Sequence, residues 1–189
     1  MSEKSNRFVA RATINYPALS QPKSINGSAA KYSGCFIIAK DDIESLNKYQ
    51  EALEAAYPGE NYPVRLQRGF RAISLNGHPA LASAYTNDVD PLMTYAQQLY
   101  IFGQKGDAVL GITTSGNAKN ILNLFKVARV LGISTYLLTG NNEQGVCRPY
   151  ADFILDVPAR EAYLVQEYHL PIYHALAMML EERFYGSGQ

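Results

Sequence analysis

A three-layer α/β/α sandwich on a mainly parallel, doubly wound sheet is the fold the sequence predicts, on three observations. Short apolar runs recur through the last two thirds of the 189 residues, and segments of helical period separate them. A hydroxyl-rich turn then follows one of those runs, at the carboxyl end of a strand, where open α/β sheets bind their ligands.

The runs are RAISL from Arg71, DAVLGI from Asp107, STYLLT from Ser134 and DFILDV from Asp152. Between the first two, Leu92, Tyr95, Ala96 and Leu99 repeat at i, i+3, i+4, i+7, the stripe of a helix lying on a sheet. A second helix, from Ile121 to Leu131, ends at Gly132, a residue free to take the left-handed conformation beyond a helix C-terminus. Strand, helix, strand recurs three times, which predicts right-handed crossovers and a sheet covered on both faces. Upstream, GCFIIAKDDIESLNKYQEALEAAY reads as a strand, a cap at Asp41 or Asp42, and a helix through Tyr57.

Composition narrows the function classes. Lys plus Arg and Asp plus Glu stand at 17 each, so no net field draws nucleic acid or an anionic membrane, and neither partner is expected. Two cysteines, Cys35 and Cys147, without metal-knuckle spacing or a signal-like apolar run, predict a cytoplasmic protein with reduced thiols. The length predicts a single domain over residues 1–189.

Three stretches carry candidate chemistry. In GITTSGNAKN, Thr113, Thr114 and Ser115 lead into Gly116 and Asn117 at the start of a helix. A helix N-terminus exposes unpaired N–H groups and favours an anion, and hydroxyls add donors. The loop has neither a P-loop lysine nor G-x-G-x-x-G, so nucleotide binding is not indicated. The competing reading has Ser115 cap the helix while the threonines satisfy local backbone. INGSAAKY offers Asn26 and Ser28 beside a glycine, either as further ligand groups or as an ordinary capped turn. The last helix, Ala162 to Phe184, places Gln166, His169 and His174 among Leu164, Val165, Tyr168, Ile172, Leu176, Met179 and Leu180. Polar groups on a buried side need partners. Gln166 and His174 lie about 80° and about 12 Å apart on a straight helix, within reach of one extended ligand. Pro171 between them predicts a kink that turns His174 toward a cleft. The alternative for His174, as for His169 and His78, is a histidine satisfied by a carbonyl.

Taken in order, NGSAA, YTNDVD, TTSGN and VQEYHLPIYHAL resemble the sugar isomerase (SIS) domain family, in its phosphoheptose isomerase branch, over about residues 71–185. The resemblance implies a flavodoxin-like fold and a phosphosugar isomerase of the aldose–ketose type, most like sedoheptulose 7-phosphate isomerase. It implies a phosphate cradle at Thr113, Thr114, Ser115 and Asn117, an acid near the substrate hydroxyls at Asp88, and a glutamine and catalytic histidine at Gln166 and His174. A homotetramer or homodimer is implied as well. Residues 1–70 diverge: NGSAAKY lacks a glycine and an aspartate, and Ile38 occupies the counted place of the family's catalytic glutamate. Glu44, Glu51 and Glu54 are the nearby carboxylates. Ala118 replaces a common serine, and Tyr163 stands where some relatives carry aspartate. Some relatives bind zinc, but Gly34 and Ile38 supply neither early ligand in register, so no metal ligand is assigned. The alternative function is non-catalytic, a phosphosugar-binding regulator comparable to the DnaA-associating relatives.

Overall fold

The computed structural model describes residues 33–38, 43–66 and 72–185. Five strands form one sheet: β1 (Ser33–Ile38), β2 (Ala72–Ser74), β3 (Ala108–Thr113), β4 (Ser134–Gly140) and β5 (Phe153–Val157). Their spatial order is β2-β1-β3-β4-β5. The four predicted runs all form strands that point the same way, and β3, β4 and β5 pair in parallel. The additional strand β1 runs opposite to its neighbours and lies between β2 and β3. Apolar period announces a strand but not its partner, so this insertion was not predictable from the pattern.

Helices α1 (Ile43–Ala56) and α2 (Tyr62–Arg65) follow β1 and pack on one another. Helices α3 (Pro79–Asp88) and α4 (Thr94–Phe102) link β2 to β3, and α5 (Lys119–Leu131) links β3 to β4. The long α6 (Ala162–Tyr185) follows β5. Leu99, Val109, Ile121, Leu124, Phe125, Ala128 and Leu137 build the main core, where α4 and α5 close one face of the sheet. Gly111 lets α5 approach: a Cβ there would lie 2.8 Å from both Ile121 Cγ2 and Phe125 Cζ. Gly132 takes φ 70° beyond α5 and donates to the carbonyls of Ala128 and Arg129, the predicted C-terminal stop. Full cover on both faces is not observed among the described residues. Phe153, Ile154 and Leu155 of the edge strand β5 remain 48%, 38% and 40% exposed.

Helix α6 explains part of that opening. Val165 is fully buried with Val157 and Ala159, and Leu164 and Ile172 pack against them. Tyr168 and Met179, expected on the buried side, are exposed. The helix packs on β4 and β5, and later along it Leu176 and Leu180 are half-buried while Met178 and Met179 are exposed.

Candidate functional site

The hydroxyl turn lies where the sequence places it, from the last residue of β3 to the start of α5. Its question, cap or anion cradle, turns on where each polar group points. The N-cap of α5 is Ala118, which has no side-chain cap, and in the first turn the Ile121 N–H donates to Asn120 Oδ1 at 2.9 Å. Ser115 does not cap the helix: its Oγ accepts from the Asn117 N–H at 3.3 Å, closing a local turn. Thr113 and Thr114 are buried. Gly116 takes φ 69°, and a Cβ there would meet both the Gly145 backbone and Thr139 Oγ1 at 3.3 Å.

A second loop, after β4, holds this turn from behind. The carbonyl of Thr114 accepts from Gly140 N–H at 3.2 Å, and that of Gly116 from Cys147 N–H at 3.0 Å. Between them, the Ser115 carbonyl accepts from Asn142 Nδ2 at 2.7 Å. Three successive carbonyl dipoles are thereby turned toward residues 140–147. The Ser115 and Gly116 N–H groups keep no partner among the described residues. A turn with its acceptors tied back and its donors free suits an anion. Asn117 contributes to the brace: its Oδ1 accepts from Val146 N–H at 3.0 Å, leaving its amide NH2 as the group that could reach a ligand. Asn142 went unnoticed in the sequence, because a contact across 27 residues leaves no local pattern.

Helix α6 supplies the other wall. It passes through Pro171 as one element. Gly140 permits its approach, since a Cβ there would lie 2.6 Å from the Thr114 carbonyl oxygen, 2.7 Å from Val165 Cγ2 and 2.8 Å from the Ala159 carbonyl oxygen. Gln166 Nε2, His169 Nε2 and Thr139 Oγ1 are buried without hydrogen-bond partners among the described residues. His169 is 3% exposed, and burial lowers its pKa from the ordinary value, opposed by a hydrogen bond to the backbone of Thr139. The expectation that polar groups on this helix sit inside holds for Gln166 and His169. His174 is different: it is exposed on the single chain, edge-to-face with Tyr173 at 4.9 Å. His78 precedes α3 and stacks on Phe102.

The remaining candidates fall apart from this centre or outside the described residues. Asp88 is the exposed last residue of α3. Asn26 and Ser28 lie outside the described residues. Ile38 pairs with Ala108, whereas Ser33 pairs with Thr113, so antiparallel β1 carries position 38 to the end of the sheet opposite the hydroxyl turn. Glu51 and Glu54 are exposed on α1, and Glu54 Oε1 accepts from Gly59 N–H at 3.4 Å. Among the described residues no three His, Cys, Asp or Glu side chains gather as a metal site needs. Cys147 is buried, and burial pushes its thiol up to about 11.

An α/β sheet whose β3, β4 and β5 run parallel, with this hydroxyl turn at a strand end, defines a domain of the SIS fold. A phosphoheptose isomerase of Helicobacter pylori is 36% identical over 118 residues, 62% of this chain and 61% of the relative. A phosphoheptose isomerase of Crocosphaera subtropica is 33% identical over 137 residues, 71% of this chain and 69% of the relative. A solved phosphoheptose isomerase from Francisella tularensis superposes with a TM-score of 0.56 at 31% identity, over 58% of this chain and 61% of that one. The chain belongs to the phosphoheptose isomerase family. It spans about three fifths of the Helicobacter relative it matches. Residues 8–67 match a different family model, described as the ssDNA-binding protein of Enterobacter phage Enc34. Among the described residues no helix is long and apolar enough to cross a membrane.

Proposed function

We propose that the chain is a phosphosugar isomerase of the aldose–ketose type, most like a sedoheptulose 7-phosphate isomerase. The observation that carries this reading is the turn at 113–117, whose three tied-back carbonyls leave N–H and hydroxyl donors for a phosphate. Interconverting ketose and aldose moves a proton between adjacent carbons through an enediol, so one group takes a C–H proton and another handles the oxygen proton. Thr113, Thr114, Ser115 and the Asn117 amide hold the phosphate, and that remote binding energy orients the reacting carbons. Gln166 orients the sugar hydroxyls, with Asp88 and, from outside the described residues, Asn26 and Ser28. His174 is the acid–base group, because an imidazole can give a proton at one ring nitrogen and take one at the other. Its exposure on one chain fits a site completed by a neighbouring copy, which also supplies the carboxylate that Ile38 does not. The protein in this reading is a cytoplasmic homotetramer or homodimer.

The Thr114→Ala/Ser115→Ala variant tests the cradle. Removing two charge-assisted donors is expected to weaken sedoheptulose 7-phosphate binding at least tenfold with the melting temperature nearly unchanged. Unchanged affinity would reduce these hydroxyls to local backbone partners and remove the basis of the reading.

A second reading concerns residues 8–67 alone, and the family match favours it. Balanced charge predicts no nucleic-acid partner, yet Tyr49 on α1 and Tyr57 just beyond it are exposed, aromatic faces of the kind on which unpaired bases stack. In this reading the N-terminal stretch binds single-stranded DNA. Fluorescence anisotropy with a labelled oligo-dT at low salt tests it: salt-sensitive binding that Tyr49→Ala/Tyr57→Ala weakens supports it, and no binding refutes it.

A further inference from the structure

The three carbonyls held by the loop after β4 are not fastened alike. Backbone N–H groups of Gly140 and Cys147 hold the outer two, those of Thr114 and Gly116, at 3.2 and 3.0 Å. A side chain holds the middle one: Asn142 Nδ2 donates to the Ser115 carbonyl at 2.7 Å. That carbonyl shares its peptide unit with the Gly116 N–H, and a trans peptide points the two groups in opposite directions. Drawing the oxygen into the loop therefore turns the Gly116 N–H out of it. Among the described residues nothing else holds this peptide, because the Gly116 N–H has no partner and Gly116, at φ 69°, has no Cβ to resist a turn of the plane. Asn142 is itself fixed on every side. Its N–H donates to the Gly140 carbonyl at 2.9 Å, and its carbonyl accepts from Gly145 N–H at 3.1 Å. Its Oδ1 accepts from Gln144 N–H at 3.3 Å. A carbonyl beside one amide atom and an N–H beside the other admit a single orientation of that amide. The loop also lies hard against the turn, since a Cβ on Gly145 would sit 3.1 Å from the Gly116 carbonyl oxygen and 3.2 Å from its Cα.

We propose that Asn142 is a positioning residue that locks the Ser115–Gly116 peptide with its N–H facing the anion, so that a phosphate meets a turn already formed. Its amide lies behind the turn with both ends engaged, and it acts through Ser115 and Gly116 rather than on the ligand. With the plane turned over, a carbonyl oxygen would face the anion where a donor is needed. The consequence for sugar-phosphate binding rests on the isomerase reading, whereas the fixing of the peptide stands on the hydrogen bonds alone.

Two variants separate the missing donor from an added charge. Asn142→Asp keeps the acceptor for Gln144 and exchanges the donor for a carboxylate oxygen, and Asn142→Leu keeps the shape with neither donor nor charge. Nuclear magnetic resonance on the labelled full-length protein, free of ligand, reads the Ser115 carbonyl carbon and the Hα–HN contact between Ser115 and Gly116. Inorganic phosphate is then titrated, and kcat and KM are measured for sedoheptulose 7-phosphate. In both variants the Ser115 carbon is expected to move upfield and the Hα–HN contact to change, while the Gly140 and Cys147 amides keep their shifts. Phosphate affinity is expected to fall about tenfold or more, because one donor to a charged ligand is lost. KM should rise by a similar factor with kcat within about threefold, the mark of a contact made equally in ground and transition states. A Ser115–Gly116 contact unchanged in both variants, a loss of affinity confined to Asn142→Asp, or a disturbance that reaches the Gly140 and Cys147 amides overturns the proposal. A wild type that binds no phosphate sinks the cradle reading instead, and the Ser115–Gly116 contact still decides what holds the peptide. Should Asn142→Leu fail to fold, ligand-free Asn142→Asp carries the same decision, since repulsion of an anion cannot act where none is present.

Discussion

Gly140→Ala puts one methyl group where β4, the phosphate turn and α6 meet. The added carbon would lie 2.6 Å from the Thr114 carbonyl oxygen and 2.8 Å from that of Ala159, with Val165 Cγ2 at 2.7 Å. Ordinary contact at such positions begins near 3.4 Å, so two backbone segments and a buried side chain must each retreat by more than half an ångström. Overpacking of a tight interior costs typically about 1–3 kcal/mol, and backbone opponents place this variant at the upper end. For a chain of this size that is a fall in melting temperature of about 4–10 °C. Gly111→Ala is the comparison, since its Cβ would meet only the side chains of Ile121 and Phe125, which can yield more readily. Differential scanning calorimetry and phosphate titration on both variants check the reasoning. Gly140→Ala should lose more stability than Gly111→Ala and should also lose phosphate affinity at temperatures where it is folded. Equal or smaller destabilisation with full affinity would show that the junction at Gly140 is not tight.

Three further outcomes follow from the same structure. His169 has a folded pKa held below its unfolded value of about 6.5, so it contributes stability that is complete above that pH and is lost as pH falls toward the folded value. Urea titrations between pH 5 and 8 should show stability dropping on the acid side by up to about 1.4 kcal/mol per pH unit, and His169→Asn should flatten that slope. Cys147, buried with its thiol raised to about 11, should alkylate with iodoacetamide at pH 8 far more slowly than an unfolded control, measured by intact mass. The exposed Tyr163, Met178 and Met179 on α6 predict self-association, so light scattering at micromolar concentration should give a dimer or tetramer, and a monomer would count against it.

Much of the fold was legible because burial writes itself into period. The four parallel strands, the α5 stop at Gly132 and the extent of α6 all follow from local apolar spacing and one glycine. The pairing of β1 was not legible, since an isolated apolar run is silent about which edge it joins and in which direction. The hydroxyl turn could be located but not interpreted. What decides between cap and cradle is a set of hydrogen bonds from residues 140–147, and those depend on chain packing across some 25 residues or more. On α6 the sequence placed Gln166, His169 and His174 alike among the buried apolar residues; Gln166 Nε2 and His169 are buried, but His174, 140° beyond His169 on an ideal helix of about 100° per residue, is exposed.

The role given to His174 is the claim on which the isomerase reading most depends, and one variant measures it. The full-length protein and its His174→Gln form should be compared for turnover of sedoheptulose 7-phosphate, for sugar-phosphate affinity and for melting temperature. An acid–base group acts in the transition state, so kcat should fall at least a hundredfold while affinity and stability hardly move, the latter because His174 is exposed on the single chain. A fully active His174→Gln protein, or a wild type that binds the sugar phosphate without ever isomerising it, would contradict the account.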